Sequence, residues 1–194
     1  MKTLYFASAN RGKTREVQNL FSGLAEVRDL NDLGIPVTWE ETGATFCENA
    51  LIKARALRAR VSGGAVFADD SGLCVDALDG APGVMSARWA GSNADDEANN
   101  RKLLDALKHT PQGKRTAAFV CCLAYIDDEG RDFVFEARLE GQILFEARGN
   151  LGFGYDPLFV PKGLSESLGE LDLDQKNRIS HRFQAVKKLK EHLL

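Results

Sequence analysis

Strands that alternate with helices, followed by one long antiparallel ribbon, predict an α/β protein built on a mixed sheet. Short apolar runs at Thr3 to Ala7 and Glu26 to Leu30, and the run around Val66 and Phe67, read as strands. Between them, apolar residues recur at helical spacing. Further on, two long strand-like runs flank the turn Asp127-Asp128-Glu129-Gly130. No repeat, low-complexity tract or linker divides the 194 residues. That length suits one well-cored domain, or one with a small second lobe.

The first strand runs into Ser8-Ala9-Asn10-Arg11-Gly12-Lys13, which opens a helix with Val17, Leu20, Phe21 and Leu24 as its apolar stripe. A helix start offers free N–H groups and the positive end of a dipole, and Lys13 adds a full charge. The Walker spacing is absent, so this is no P-loop. A turn is expected at Gly34-Ile35-Pro36 and an acidic loop at Glu40 to Gly43. Thr45 and Glu48 have capping-box spacing, and the helix they open should run to about Arg60, with Lys53 beside the buried-looking Ala50 and Ala54.

Gly63-Gly64 turns the chain into Val66-Phe67-Ala68-Asp69-Asp70-Ser71-Gly72, a strand expected to end at two carboxylates with Gly72 allowing a sharp exit. Carboxylates so placed can hold a hard cation or take a proton from water. On a regular strand Asp69 and Asp70 face opposite ways, so they are not an equivalent pair. A helix is expected from Asp95 to His109, its acids Asp95, Asp96 and Glu97 suiting the dipole. Lys114 to Ile126 and Phe133 to Phe145 form the ribbon, with a bulge expected at Gly141. Gly152-Phe153-Gly154-Tyr155-Asp156 then gives a flexible backbone carrying flat rings, a platform for a base. Ser180 is expected to cap a last helix, leaving His181 and Arg182 at the end where cations oppose the dipole. An anionic ligand held by Arg182 and Lys176 would account for that.

Composition narrows the partners. A net charge of −3 gives no reason to expect a nucleic acid or an anionic membrane, so phosphates must be held by locally placed Lys and Arg. The N-terminal run is too short for a signal peptide and no segment approaches bilayer length, which makes the cytoplasm the expected compartment. Cys47, Cys74, Cys121 and Cys122 show no metal spacing with His109, His181 and His192, and buried thiols are expected. Strand alternation sends Cys121 and Cys122 to opposite faces.

The segments Ser8 to Lys13, Glu41 to Ala50, Ala68 to Leu73, Gly80 to Gly83, Gly152 to Pro157 and Ser180 to Arg182 stand in one order across the chain. In this the sequence resembles the inosine triphosphate pyrophosphatase family, which hydrolyses noncanonical purine nucleoside triphosphates. The resemblance implies a two-lobed α/β fold with a long mixed sheet, a cleft between the lobes, and a homodimer. It implies Mg²⁺-dependent release of pyrophosphate from ITP, dITP and XTP. Carried over by position, Ser8, Ala9, Asn10, Arg11, Gly12 and Lys13 would bind the triphosphate. Asp70 would be proton acceptor and metal ligand, Asp69 its support, and Glu41 a second ligand. Ser71, Lys53 and Lys176 would touch substrate, and Phe153, Gly154, Tyr155, Asp156, His181 and Arg182 would hold the base. Ser8-Ala9 departs from the family's usual Thr-Gly, and Trp89 from its frequent tyrosine. A Maf-like nucleotide pyrophosphatase and a non-catalytic nucleotide sensor are the alternatives. The Ser-His-Arg and Gly-Phe-Gly-Tyr-Asp motifs argue against the first, and the carboxylates against the second.

Overall fold

The computed structural model describes residues 2–34, 36, 38–91 and 95–193. Its strands are β1 (Lys2–Phe6), β2 (Ala25–Asp29), β3 (Ala65–Val75), β4 (Thr116–Ile126), β5 (Asp132–Ile143) and β6 (Phe159–Pro161). Its helices are α1 (Arg11–Phe21), α2 (Leu30–Leu33), α3 (Phe46–Arg58), α4 (Asp96–Ala106), α5 (Leu173–Ile179) and α6 (His181–Leu193). The strands form one sheet in the order β2-β1-β3-β4-β5-β6. β1 pairs in parallel with β2 and β3, whereas β5 and β6 are antiparallel, so the sheet is mixed as the alternation of elements implies.

The chain resolves into two compact units. One comprises Met1–Asp70, Cys121–Ala137 and Arg182–Leu194, and the other Ser71–Val120 and Arg138–His181. In the first, β4 shows why alternation matters. Cys121, Leu123 and Tyr125 join a core with Leu4, Phe6 and Phe67, Val17 and Phe21 of α1, and Ala185, Val186 and Leu189 of α6. Ala124 and Ile126 instead join a core with Ala50, Ala54 and Leu57 of α3. The central strands of this unit are thereby covered on both faces by helices. In the second unit, Leu73, Val75 and Phe119 pack with Leu103 and Leu107 from α4 and its end, and with Tyr155, Leu158 and Phe159.

Local signals acted much as their chemistry dictates. Asn10 caps α1 by accepting from the Lys13 N–H, and Thr45 and Glu48 form the full capping box of α3. Asp95 caps α4 by accepting from the Ala98 N–H, but that helix ends at Ala106, before Lys108 and His109. The expected turn at Gly34-Ile35-Pro36 falls partly outside the described residues, at Ile35. Gly34 closes α2 with a φ of 61°, in the left-handed region.

Three expectations change. The strand bearing the two aspartates does not end at them; β3 runs on to Val75, because Leu73 and Val75 continue the apolar pattern into the second unit's core. Gly141 stands in regular register opposite Pro161, and a side chain there would run into the Val160 carbonyl and the Phe159 ring. Close approach, rather than a bulge, explains that glycine. Cys47 and Cys122 are joined in a disulfide, while Cys74 and Cys121 remain thiols. Cys122 lies on the α3-facing side of β4, which is what brings it to Cys47. Ser180 stands directly before α6, the N-cap position expected of it, and its N–H also bonds to the Lys176 carbonyl at the end of α5.

Candidate active site

Within the first unit, β3 sends its two aspartates to different partners, as strand alternation requires. Asp70 meets the Lys53 Nζ, which donates to its Oδ1 at 2.6 Å. The same ammonium donates to Glu41 Oε1 at 3.0 Å. Asn49, one helical turn before Lys53 on α3, extends its amide to Asp70 Oδ2 at 3.4 Å. The Asn49 carbonyl oxygen meanwhile accepts from the Gly43 N–H at 2.9 Å. A side chain at Gly43 would collide with Asn49 and Glu48, so glycine is what lets the acidic loop lie against the helix start. Helix α3 therefore supplies both the cation and the amide that fix Asp70, and it seats the loop bearing Glu41.

Burial pushes the Asp70 carboxyl above the ordinary aspartate value, and the opposing pull of Lys53 only moderates the rise. Burial also works against the Lys53 ammonium, but the Asp70 and Asp69 charges outweigh it and the net direction is upward. A carboxylate so raised is a better proton acceptor near neutrality than an exposed aspartate.

Asp69 looks the other way. Its Oδ2 receives Arg182 through Nε and Nη2, each at 3.2 Å, and the Lys13 Nζ lies 3.0 Å from the same oxygen. Arg182 donates its remaining Nη1 to Glu16 Oε2. Burial opposes the Arg182 charge, yet Glu16 and Asp69 more than compensate and the guanidinium is held above its ordinary value. In the loop before α1, Ser8 is buried and its Oγ accepts from the Asn10 N–H at 3.2 Å, while Ala9, Asn10 and Arg11 are exposed. Gly12 and Lys13 are half-buried.

The second unit holds the remaining sequence-derived residues. Asp156 Oδ2 accepts from the Phe153 N–H at 2.9 Å and from the Lys176 Nζ at 2.8 Å. That ammonium lies 4.5 Å from the centre of the Phe153 ring, within cation–π reach. Gly152 has a φ of 78°, and a side chain on it would strike the Asp156 carboxylate. The Gly154 N–H donates to Asp96 Oδ2 at 2.7 Å. Tyr155 is buried in that unit's core with its hydroxyl donating to the Ser86 carbonyl at 2.9 Å. Burial, reinforced by Asp96, pushes its phenol upward, so it stays neutral. His181 is buried and stacks on Phe119 with ring centres 4.9 Å apart, and Ser71 is half-buried on β3.

Two members were absent from the sequence expectations. Asn49 stands four residues before Lys53 and Glu16 three after Lys13, the spacings that share a helix face. That periodicity could have found both.

A divalent cation can be tested against the donors. Glu41 and Asp70 oxygens converge on one point, the Lys53 ammonium. Among the described residues no group of three or more His, Cys, Asp or Glu could hold a metal by itself. Two hard carboxylates without a complete cage match the way Mg²⁺ is held, by one or two carboxylates with substrate phosphates filling other positions. The residues therefore fit an ion that arrives with a polyphosphate.

Comparison with known proteins agrees with this chemistry. The family model described as the Ham1 family matches residues 4–192. A protein of Thermoanaerobacter sp. (strain X514) named dITP/XTP pyrophosphatase is 48% identical over 192 residues, 98% of this chain and 96% of its own length. One of Geobacter sulfurreducens bearing the same name is 47% identical, over 100% and 97%. A HAM1 protein from Coxiella burnetii superimposes with a TM-score of 0.89 at 40% identity, covering 100% of this chain and 98% of the other. A nucleoside-triphosphatase / dITP/XTP pyrophosphatase from Mycobacterium abscessus superimposes with a TM-score of 0.77 at 43% identity, covering 96% and 98%.

Proposed function

The chain belongs to the Ham1 family, and from that premise we propose that it cleaves dITP, XTP and ITP to the nucleoside monophosphate and pyrophosphate. It is a nucleoside-triphosphate pyrophosphatase, a hydrolase of noncanonical purine nucleotides, and its proposed role is to remove them before a polymerase can use them. The observation that carries the chemistry is the buried Asp70 carboxylate, held at one oxygen by Lys53 and at the other by Asn49.

In the proposed reaction water attacks the α-phosphorus, the bond to the bridging oxygen of the pyrophosphate breaks, and Asp70 accepts the water proton. Lys53 and Asn49 hold the carboxylate in line, so little reorganisation is needed at the moment of attack. Glu41 and Asp70 would hold Mg²⁺, which when bound neutralises charge on the phosphate oxygens. The α1 start from Ser8 to Lys13 supplies N–H groups, a dipole end and the Lys13 ammonium for the triphosphate. Phe153 to Asp156, Lys176 and His181 are proposed for the base, with Phe153 giving the flat surface, whereas the buried Arg182, its fork taken by Asp69 and Glu16, is proposed to act through Asp69. Hypoxanthine and xanthine carry a 6-oxo acceptor that donors can match, whereas the 6-amino group of adenine would face them donor to donor. Ser71 is proposed to touch the substrate. The same resemblance supports a homodimer and a cytoplasmic location, and sedimentation of the purified protein tests the first.

The deciding assay incubates the protein with Mg²⁺ and, separately, ITP, dITP, XTP, ATP, GTP and a modified pyrimidine triphosphate. Pyrophosphate from ITP, dITP and XTP, and far less from ATP and GTP, is expected. No pyrophosphate from any of them would overturn the reading, and orthophosphate as first product would overturn the cleavage site.

A further inference from the structure

We infer that Glu16 is a positioning residue that sets how tightly Asp69 holds Lys13, and so how readily Lys13 turns to a triphosphate. The inference rests on the pyrophosphatase reading above. Four charged side chains of the first unit form one linear array, Glu16–Arg182–Asp69–Lys13. Two are cations and two anions, so the array is neutral. Side-chain exposure is 3% at Glu16, 2% at Arg182 and 2% at Asp69, but 18% at Lys13. Three members are thus locked in a dry interior and only the last can reach solvent.

The charges are shared in sequence. Arg182 divides its donors between Glu16 and Asp69, and Asp69 Oδ2 is divided between Arg182 and Lys13. A buried arginine without one carboxylate turns its whole fork to the other, since a bidentate pair is the stronger arrangement. Removing the Glu16 charge therefore gives Arg182 entirely to Asp69. Asp69 then needs Lys13 less, and the ammonium at the start of α1 is released toward phosphate oxygens. Glu16 acts on substrate only through Arg182, Asp69 and Lys13, and touches no substrate itself.

The test combines Glu16→Gln, Glu16→Asp, Lys13→Ala and the double variant that joins Glu16→Gln to Lys13→Ala. Calorimetric binding of inorganic pyrophosphate and steady-state kinetics with dITP are both measured. Glu16→Gln is expected to tighten pyrophosphate binding and lower KM by about 3- to 10-fold, without raising kcat. Glu16→Asp, which keeps the charge but withdraws it by one methylene, should shift both in the same direction by a smaller factor. In the Lys13→Ala background the Glu16→Gln change should shift neither, because its route to the phosphate is gone. A role confined to stability would lower the melting temperature and leave KM and pyrophosphate affinity where they were, which would overturn the inference. An equal shift with and without Lys13 would overturn it too. Should the Glu16→Gln protein not fold, the Glu16→Asp protein carries the same comparison. Binding of pyrophosphate needs no turnover, so a parent that fails to cleave dITP would sink the functional reading alone.

Discussion

Asp70 is the proposed proton acceptor, and its environment gives it a measurable signature. Asp70→Asn keeps the shape of the side chain and one acceptor oxygen but removes the proton acceptor. Turnover should fall by about 10²- to 10⁴-fold while nucleotide binding persists; near-normal turnover would remove Asp70 from the role of base. Gly152 makes a similar point about the second unit. Its left-handed backbone and the Asp156 carboxylate beside it leave no room for a methyl group. Gly152→Ala should displace Asp156 from Lys176 and from the Phe153 N–H, raising KM more than it lowers kcat, and an unchanged KM would show the platform does not depend on that pin. At this scale the sequence told residue types well and partners poorly. Asp69 and Asp70 could be separated by strand alternation, but the depth of Arg182 could not be foreseen. Its two partners lie 113 and 166 positions away, and no local pattern spans that distance.

Elements with local causes were legible, and those with distant causes were not. Helix α3 has its capping box in four consecutive residues, and its start was found to the residue. β3 was cut short because Gly72 looks like punctuation, while the pairing and packing that carry the strand to Val75 come from elsewhere. Strand β6 is three residues long, too brief for periodicity to register. The junction of β2 and α2 yields a prediction in pH. Burial tends to raise the Asp29 carboxyl, but hydrogen bonds from Thr14, Asn31 and Asp32 overcome it and the net direction is downward. A lowered acid contributes stability that is complete above its unfolded value of about 3.9 and disappears as pH falls through the folded value. Asparagine caps helices about as well as aspartate, so Asp29→Asn keeps the cap while removing the charge and the oxygen that accepts from Thr14 and from the Asn31 amide. Its melting temperature should lie below the parent's at pH 7, and the gap should narrow as pH falls below the ordinary carboxylate value and through the lower folded one. A gap that persists unchanged in acid would mean the charge is not what Asp29 contributes.

At the scale of the whole molecule, the Cys47–Cys122 disulfide spans 75 positions and ties the start of α3 to β4. A cross-link closing a loop of that length stabilises by about 4 kcal/mol on the chain-entropy account. Cys47→Ser, or reduction, should therefore lower the melting temperature by several degrees, and thiol titration of the oxidised protein should find half of the four cysteines reactive after unfolding. An unchanged melting temperature would remove the cross-link from the account of stability. The first unit has a further property, since it is assembled from three separated stretches of chain, the last beginning at Arg182. During synthesis the ribosome delivers Lys13, Glu16, Lys53, Asp69 and Asp70 long before it delivers that arginine. Until then Glu16 and Asp69, both destined for a dry interior, await the guanidinium they share, and the apolar faces of β1, β3 and β4 lack Ala185, Val186 and Leu189. The nascent enzyme thus stays incomplete until α6 has been made, and a transcript broken before that helix yields a chain that cannot close its own catalytic unit.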